Sequence, residues 1–316
     1  MKRFITASIL FIILIPAFIV PVLKPVLEVI FIMLAVVAML ELFKMFDTEK
    51  VIPLGMRIFA IVLMLILYAS LLTSVTYKDE SQLPIIVKFM KLMNLDIILS
   101  PAVALLIIFI VFMTSIVFVR NFSIYDLGKI YISIFYVGVC VAAITILRSF
   151  GVRFIVYLFI ITTMTDTFAL VFGLKFGKHK MAPHISPKKS WEGAIGGTVV
   201  ATIIGFCFVY FYKYMSPAFH KGETIEFFDG IFRYNQFKNE FGKIIFVIIT
   251  SVFLSICAQI GDLIASRLKR EYGIKDYSNV FPGHGGVLDR FDSAFFAATI
   301  LIVMIMMEQQ LFPWGA

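Results

Sequence analysis

Apolar residues in this chain do not alternate with polar ones at the period of a strand or a surface helix. They gather in blocks of about twenty, the length a helix needs to cross the hydrocarbon core of a bilayer. Nine blocks meet that measure: Phe4 to Leu23, Pro25 to Phe46, Ile58 to Tyr77, Ile97 to Val119, Ile130 to Leu147, Phe154 to Phe172, Gly193 to Tyr210, Ile244 to Ala265 and Ser293 to Met307. The pattern predicts an all-α polytopic membrane protein of about nine transmembrane helices. The first block follows Lys2 and Arg3 as a signal peptide would, but no small-residue cleavage site comes after it, so it reads as a retained anchor. The tight Lys24-Pro25 junction makes the first two spans a helical hairpin, and Ile85 to Met93 has the make-up of a short interfacial helix. Met215 to Lys243 reads as a small extramembrane excursion. Without internal repeats or low-complexity linkers, one membrane domain is the simplest description. Residues 1–150 supply N-terminal spans, and residues 151–316 supply spans joined by polar loops.

Composition sharpens this picture. Hydrophobic residues make up 61% and charged residues 15% of the chain, against about 45–50% and 25% in soluble domains. A soluble globule, a disordered chain and a disulfide scaffold are thereby excluded. Cys140, Cys207 and Cys257 sit in apolar runs without metal-ligand spacing and are expected to be small buried side chains. The formal charge of +8 comes from basic residues in short loops. Most of them fall on one side if the N-terminus lies inside and the C-terminus outside, the orientation the positive-inside rule favours. That reading places the protein in the inner or plasma membrane and makes anionic headgroups and phosphorylated substrates its partners rather than nucleic acid.

Polarity concentrates in two stretches on the side assigned to the cytoplasm. The first starts at Asp166, among Thr162, Thr163, Thr165 and Thr167, and runs through Lys175, Lys178 and Lys180 to Ser186-Pro187-Lys188-Lys189-Ser190-Trp191-Glu192-Gly193. The second starts at Gln259 and Asp262 and ends in His284-Gly285-Gly286-Val287-Leu288-Asp289-Arg290-Phe291-Asp292. An ionised Asp in hydrocarbon costs about 2.5–3.5 kcal/mol on insertion scales, so Asp166 and Asp262 are expected to face a polar cavity or a partner. Asp289 and Asp292, three apart, share one side of a helix entering the last span. With Asp262 they form a carboxylate set suited to Mg²⁺, and no His/Cys cluster argues for zinc. Lys269, Arg270, Lys275 and Arg290 add positive charge, and Gly285 and Gly286 let backbone N–H groups approach an oxyanion. This is the inventory of metal-assisted phosphoryl or nucleotidyl transfer. A plainer reading also stands, in which basic loops simply obey topology and the glycines mark turns.

The run Ser266-x-Leu268-Lys269-Arg270-x4-Lys275-Asp276-x-Ser278-x2-Phe281-Pro282-x-His284-Gly285-Gly286-Val287-x-Asp289-Arg290-Phe291-Asp292 resembles the signature of phosphatidate cytidylyltransferase, with no departure at its fixed positions. The Ser186 to Gly193 loop and the polar span carrying Asp166 resemble that family as well. The resemblance implies transfer of CMP from CTP to phosphatidic acid, giving CDP-diacylglycerol and pyrophosphate in phospholipid biosynthesis, with one or two Mg²⁺ ions and a homodimer. It implies Asp262 and Asp289 as metal ligands, with Asp292 and Asp166 as further acidic members. Lys188, Lys189, Lys269 and Arg290 are implied as phosphate contacts, and Ser186 and Ser190 as hydrogen-bonding or capping residues. Arg270, Lys275, Gly285 and Gly286 join them in holding substrate, and His284 belongs with the catalytic group in a structural or phosphate-binding capacity. The alternatives are a CDP-alcohol phosphatidyltransferase, whose Asp-Gly-x2-Ala-Arg run does not occur here, a transporter with Asp166 and Asp262 lining a polar path, and a silent scaffold.

Overall fold

The computed structural model describes residues 23–75, 77, 80, 83–95, 100–119, 123–219, 224–228, 240–281 and 285–311. Residues 4–22 of the expected first span, and His284, lie outside them. The elements in chain order are α1 (Lys24–Phe46), α2 (Leu54–Thr73), α3 (Ile85–Leu92), α4 (Pro101–Phe118), α5 (Ile124–Phe150), α6 (Val152–Phe176), β1 (Lys180–Ala182), β2 (Ser186–Ser190), α7 (Trp191–Phe219), α8 (Glu240–Glu271) and α9 (Leu288–Leu311). Among the described residues eight helices, all but α3, are long and apolar enough to span a bilayer. The chain is a polytopic all-α membrane protein with one small antiparallel hairpin. It divides into two compact units, one of residues 1–150 with 268–291 and the other of residues 151–267 with 292–316.

In the first unit α5 packs on α1 and α2, and α4 packs on α2. Leu27, Phe31, Ala35, Met39 and Leu42 recur on one buried stripe of α1, while Val26, Val29, Met33 and Leu40 are exposed. Both faces are apolar because one meets protein and the other meets lipid tails. Gly138 of α5 brings the backbone against Met64 and Leu67 of α2, where an added Cβ would sit 3.4 Å from each side chain. α2 begins four residues before the expected Ile58 because Pro53 occupies its N-cap, a position where a missing N–H is harmless. One end of the unit is tied by ion pairs Lys50–Asp126 at 2.5 Å, Lys129–Glu49 at 2.6 Å and Arg57–Asp47 at 2.7 Å. In α3, Val87 and Met90 are buried while Ile85, Phe89 and Leu92 are exposed, as befits a helix lying along an interface.

The second unit rests on the α6–α7 pair. Gly193 and Gly197, one helical turn apart on α7, let the backbones approach. A Cβ on Gly197 would stand 2.6 Å from the Thr165 carbonyl oxygen, and one on Gly193 would stand 2.5 Å from that of Ala169. Such small-residue contacts drive association of helices in lipid, where burial of apolar surface offers little. Interhelical hydrogen bonds then join α6, α7 and α8: Tyr157 Oη with Ser251 Oγ at 2.8 Å, Thr165 Oγ1 with Ser255 Oγ at 2.7 Å, and Gln259 Nε2 donating to Thr198 Oγ1 at 2.9 Å. The expected excursion after Met215 is not wholly outside the protein. Phe227 and Phe228 are fully buried against Phe154 and Tyr157, with the Phe154 and Phe227 rings 5.2 Å apart. Cys140 and Cys257 are buried as expected, whereas Cys207 is exposed on α7.

Candidate functional site

The first unit builds one half of the motif residues around two buried carboxylates. Asp289 sits in the first turn of α9, and its side chain is 4% exposed. Its Oδ1 accepts from Lys269 Nζ at 2.7 Å, and its Oδ2 accepts from the backbone N–H of Tyr277 at 2.8 Å and of Gly286 at 2.9 Å. Lys269, near the end of α8, lies over the Tyr277 ring at 5.3 Å, which further steadies its charge. Gly285 adopts φ +87°, a region that disfavours any Cβ, and a Cβ there would also press on Asp289 Oδ2 at 2.9 Å. Losing one partner of so buried a pair costs on the order of 3–5 kcal/mol.

The second carboxylate is Glu41, toward the C-terminal end of the apolar α1 and 3% exposed. Its Oε1 accepts from Ser278 Oγ at 2.5 Å and from Val287 N–H at 2.9 Å, and its Oε2 accepts from Leu288 N–H at 3.0 Å. Glu41 thus satisfies the first amides of α9 and pins the loop before it. A side chain at Gly286 would collide with this carboxylate. Sequence reasoning passed over Glu41, although an acid inside an apolar span is itself the signal that should have found it. Beside it, Lys44, Thr48, Asp276, Tyr277, Ser278 and Asn279 line a polar cleft of about 320 Å³. Arg270 donates to the Ile274 carbonyl at 3.1 Å, while Lys275 and Arg290 are exposed.

The second unit holds the other half. Residues 180–190, expected as a loop, form the β1–β2 hairpin, with Ser186 opposite Ala182 and Ser190 opposite Lys180. Ser190 is buried, and its Oγ accepts from Gly193 N–H at 3.2 Å, capping α7. Glu192 accepts from His179 N–H at 3.2 Å and meets its Nδ1 at 2.6 Å, closing the hairpin onto the helix. Successive residues of a strand face opposite ways, so Lys188 is exposed while Lys189 turns toward α8. The Lys189 ammonium lies 2.5 Å from Asp262 Oδ2. This contact lacks hydrogen-bond geometry, so the buried nitrogen has an ion-pair partner but no hydrogen-bond acceptor among the described residues. Asp262 Oδ1 accepts from Ser266 Oγ at 3.3 Å. Asp166 Oδ2 accepts from Ser293 Oγ at 3.1 Å and feels the charges of both Asp262 and Lys189. Asp292 is buried, and its Oδ1 accepts from the Ser293 amide at 2.8 Å.

The predicted residues therefore fall into two sets. Lys269, Asp289, Gly285 and Gly286 converge in the first unit, and Asp166, Asp262 and Lys189 converge in the second. α8 carries members of both sets, Asp262 and Lys269, and α9 carries Asp289 and Asp292. His284 lies outside the described residues. Among the described residues no three His, Cys, Asp or Glu side chains come together as a metal-holding group. The donor set that does converge, two carboxylates with nearby hydroxyls, is all oxygen. It fits Mg²⁺, which commonly takes one or two carboxylates and completes its shell with water and substrate phosphate.

A sequence model of the Cytidylyltransferase family matches residues 1–308. The chain is also similar to curated proteins named phosphatidate cytidylyltransferase. That of Staphylococcus haemolyticus (strain JCSC1435) is 33% identical over 186 residues, 59% of this chain and 62% of the relative. That of Staphylococcus aureus (strain COL) is 33% identical over 198 residues, 62% of this chain and 66% of the relative. That of Staphylococcus epidermidis (strain ATCC 35984) is 32% identical over 197 residues, with the same coverage. The matched stretch thus spans a little under two thirds of these relatives. With the family match running almost the whole length of its spans and motifs, this chain belongs to the cytidylyltransferase family.

Proposed function

We propose that this protein transfers CMP from CTP to phosphatidic acid, forming CDP-diacylglycerol and releasing pyrophosphate. The observation that carries the proposal is the convergence of Lys189 with Asp262 and Asp166, two acids carried within membrane helices, in a chain whose named relatives are phosphatidate cytidylyltransferases. The lipid phosphate is already ionised, so an oxygen of it attacks the α-phosphorus of CTP as the bond to pyrophosphate breaks, and no general base is needed. In the second unit Asp262 and Asp166 would hold the metal, with Asp292 as a less direct member because its Oδ1 already accepts from the Ser293 amide. Asp289, which the family resemblance also offers, is held in the first unit by Lys269 and two amides. A bound Mg²⁺ supplies neutralisation of the charge on the reacting phosphates. Lys189, whose ammonium keeps hydrogen-bonding capacity, moves between Asp262 and a substrate phosphate. In the second unit Lys188 adds a phosphate contact and Ser186 and Ser190 shape its loop. The family resemblance offers Lys269, Arg270, Lys275 and Arg290 of the first unit as further phosphate contacts, with Gly285 and Gly286 shaping theirs. The proposal includes a homodimer and a site on the cytoplasmic side, where CTP is available.

The test is pyrophosphate release and lipid product formation by purified protein with CTP, phosphatidic acid and Mg²⁺. Turnover is expected to require all three and to fall roughly 10²- to 10³-fold in Asp262→Asn, the loss typical of removing one group that stabilises transition-state charge. Undiminished turnover in that variant would remove Asp262 from the site. Absence of turnover in folded wild-type protein would overturn the reaction itself.

A further inference from the structure

α1 is 23 residues long, about 34 Å at 1.5 Å per residue, so its two ends lie at opposite faces of a bilayer. Glu41 and the motif loop belong to one end. At the other end stand Lys24 and Glu28 of α1, Lys88 of α3 and Arg148 of α5, near enough to act on one another electrostatically. All three cations act on the Glu28 carboxylate. Glu28 is further committed, because its Oε2 accepts from the Ile85 amide at 2.5 Å, and Lys24 Nζ donates to the Leu83 carbonyl at 3.4 Å. Arg148 is 6% exposed, yet its Nε and Nη2 are buried without a hydrogen-bond acceptor among the described residues. A guanidinium presents donors in a planar fork suited to carboxylate or phosphate, and leaving them buried and unfilled is unfavourable.

We propose that Arg148, with Lys24 and Lys88, forms a phosphate-binding site at the membrane face opposite the loop that precedes α9, and that its ligand is the headgroup of an anionic phospholipid. Two unfilled nitrogens on one edge of the buried Arg148 guanidinium match two phosphate oxygens, and the exposed Lys88 adds positive charge at the mouth of the site. α3 supplies the reason to choose a lipid over a dissolved anion. It presents Ile85, Phe89 and Leu92 outward beside Lys88 and Lys91, the arrangement of a helix lying among headgroups with its bases at phosphate level. The site does not depend on the reaction proposed above, since its residues belong to none of the motif stretches.

The test uses the full-length protein in detergent, titrated with short-chain phosphatidylglycerol, phosphatidylcholine or inorganic phosphate. Binding is followed by native mass spectrometry and thermal unfolding. Phosphatidylglycerol carries a phosphodiester and does not offer the phosphate monoester that the proposed reaction consumes, so its retention reports on this site. Saturable phosphatidylglycerol binding is expected, with phosphatidylcholine weaker and Arg148→Gln reducing affinity roughly 10- to 100-fold. Should Arg148→Gln fail to fold, two milder variants decide. Lys88→Gln, at an exposed position, is expected to weaken binding several-fold, while Glu28→Gln, which removes the opposing charge, is expected to tighten it. Equal binding in wild type, Lys88→Gln and Glu28→Gln, or unchanged binding in folded Arg148→Gln, overturns the site. Inorganic phosphate competing as well as the lipid, with the same dependence on Arg148, upholds the anion site and overturns its lipid source.

Discussion

At one end of α1 the Glu41 carboxylate accepts from Ser278, Val287 and Leu288, so every oxygen is engaged by a donor of the motif loop. At the other end Arg148, near Glu28 and Lys24, keeps two buried nitrogens with no acceptor among the described residues. Both are ionisable groups within spans that are otherwise apolar. What separates them is satisfaction: a buried charge whose hydrogen bonds are complete within the chain acts as a fastener, and one left incomplete is a place for something else to bind.

The comparison breaks most readily at Glu41. Glu41→Leu strands two helix-terminal amides and a hydroxyl, and is expected to cost about 3–5 kcal/mol, seen as a lowered unfolding midpoint together with loss of turnover. An unchanged midpoint would show that the loop finds other partners and that Glu41 is no fastener. Removing one of the three donors is a gentler probe. Ser278→Ala is expected to cost about 1 kcal/mol while leaving the two amide contacts in place, measured by the same unfolding midpoint. Smallest should be Lys88→Gln at the opposite end, within about 0.5 kcal/mol of wild type in lipid-free detergent, because it lies on the exposed face of α3. A large loss there would mean that the far cluster is itself structural and would erase the distinction.

Much of the architecture could be read from the amino-acid order because bilayer thickness imposes its own ruler. All eight spans among the described residues coincide with expected blocks, and the interfacial helix ends one residue from the expected Met93. Boundaries diverged where helices run on past the hydrocarbon. α8 continues from Ala265 to Glu271 through Arg267, Lys269 and Arg270, which hydropathy discards but helix propensity accepts. The β1–β2 hairpin was missed because Lys180–Ala182 and Ser186–Ser190 show no alternation of apolar and polar residues. Its order comes instead from the Glu192 link to His179 and the Ser190 cap. Pairings such as Asp166 with Ser293 and Lys189 with Asp262 join residues far apart in the chain and depend on helix packing that no local pattern encodes. Asp289 shows the same limit from another side: its residue type pointed to metal, and only the coordinates reveal the amides it holds.

The Glu41 contact also orders events in time. Its amide partners at Val287 and Leu288 are made 246 and 247 residues later in synthesis. At 5–20 residues per second, a ribosome needs roughly 12–50 s to deliver them. During that interval the carboxylate must wait with water, lipid headgroups or an insertion factor as its provisional company. The motif loop is latched only once the start of α9 has been made, so a nascent chain stopped short of Leu288 cannot acquire the finished loop. Synthesis of α9 thus becomes a checkpoint for its assembly.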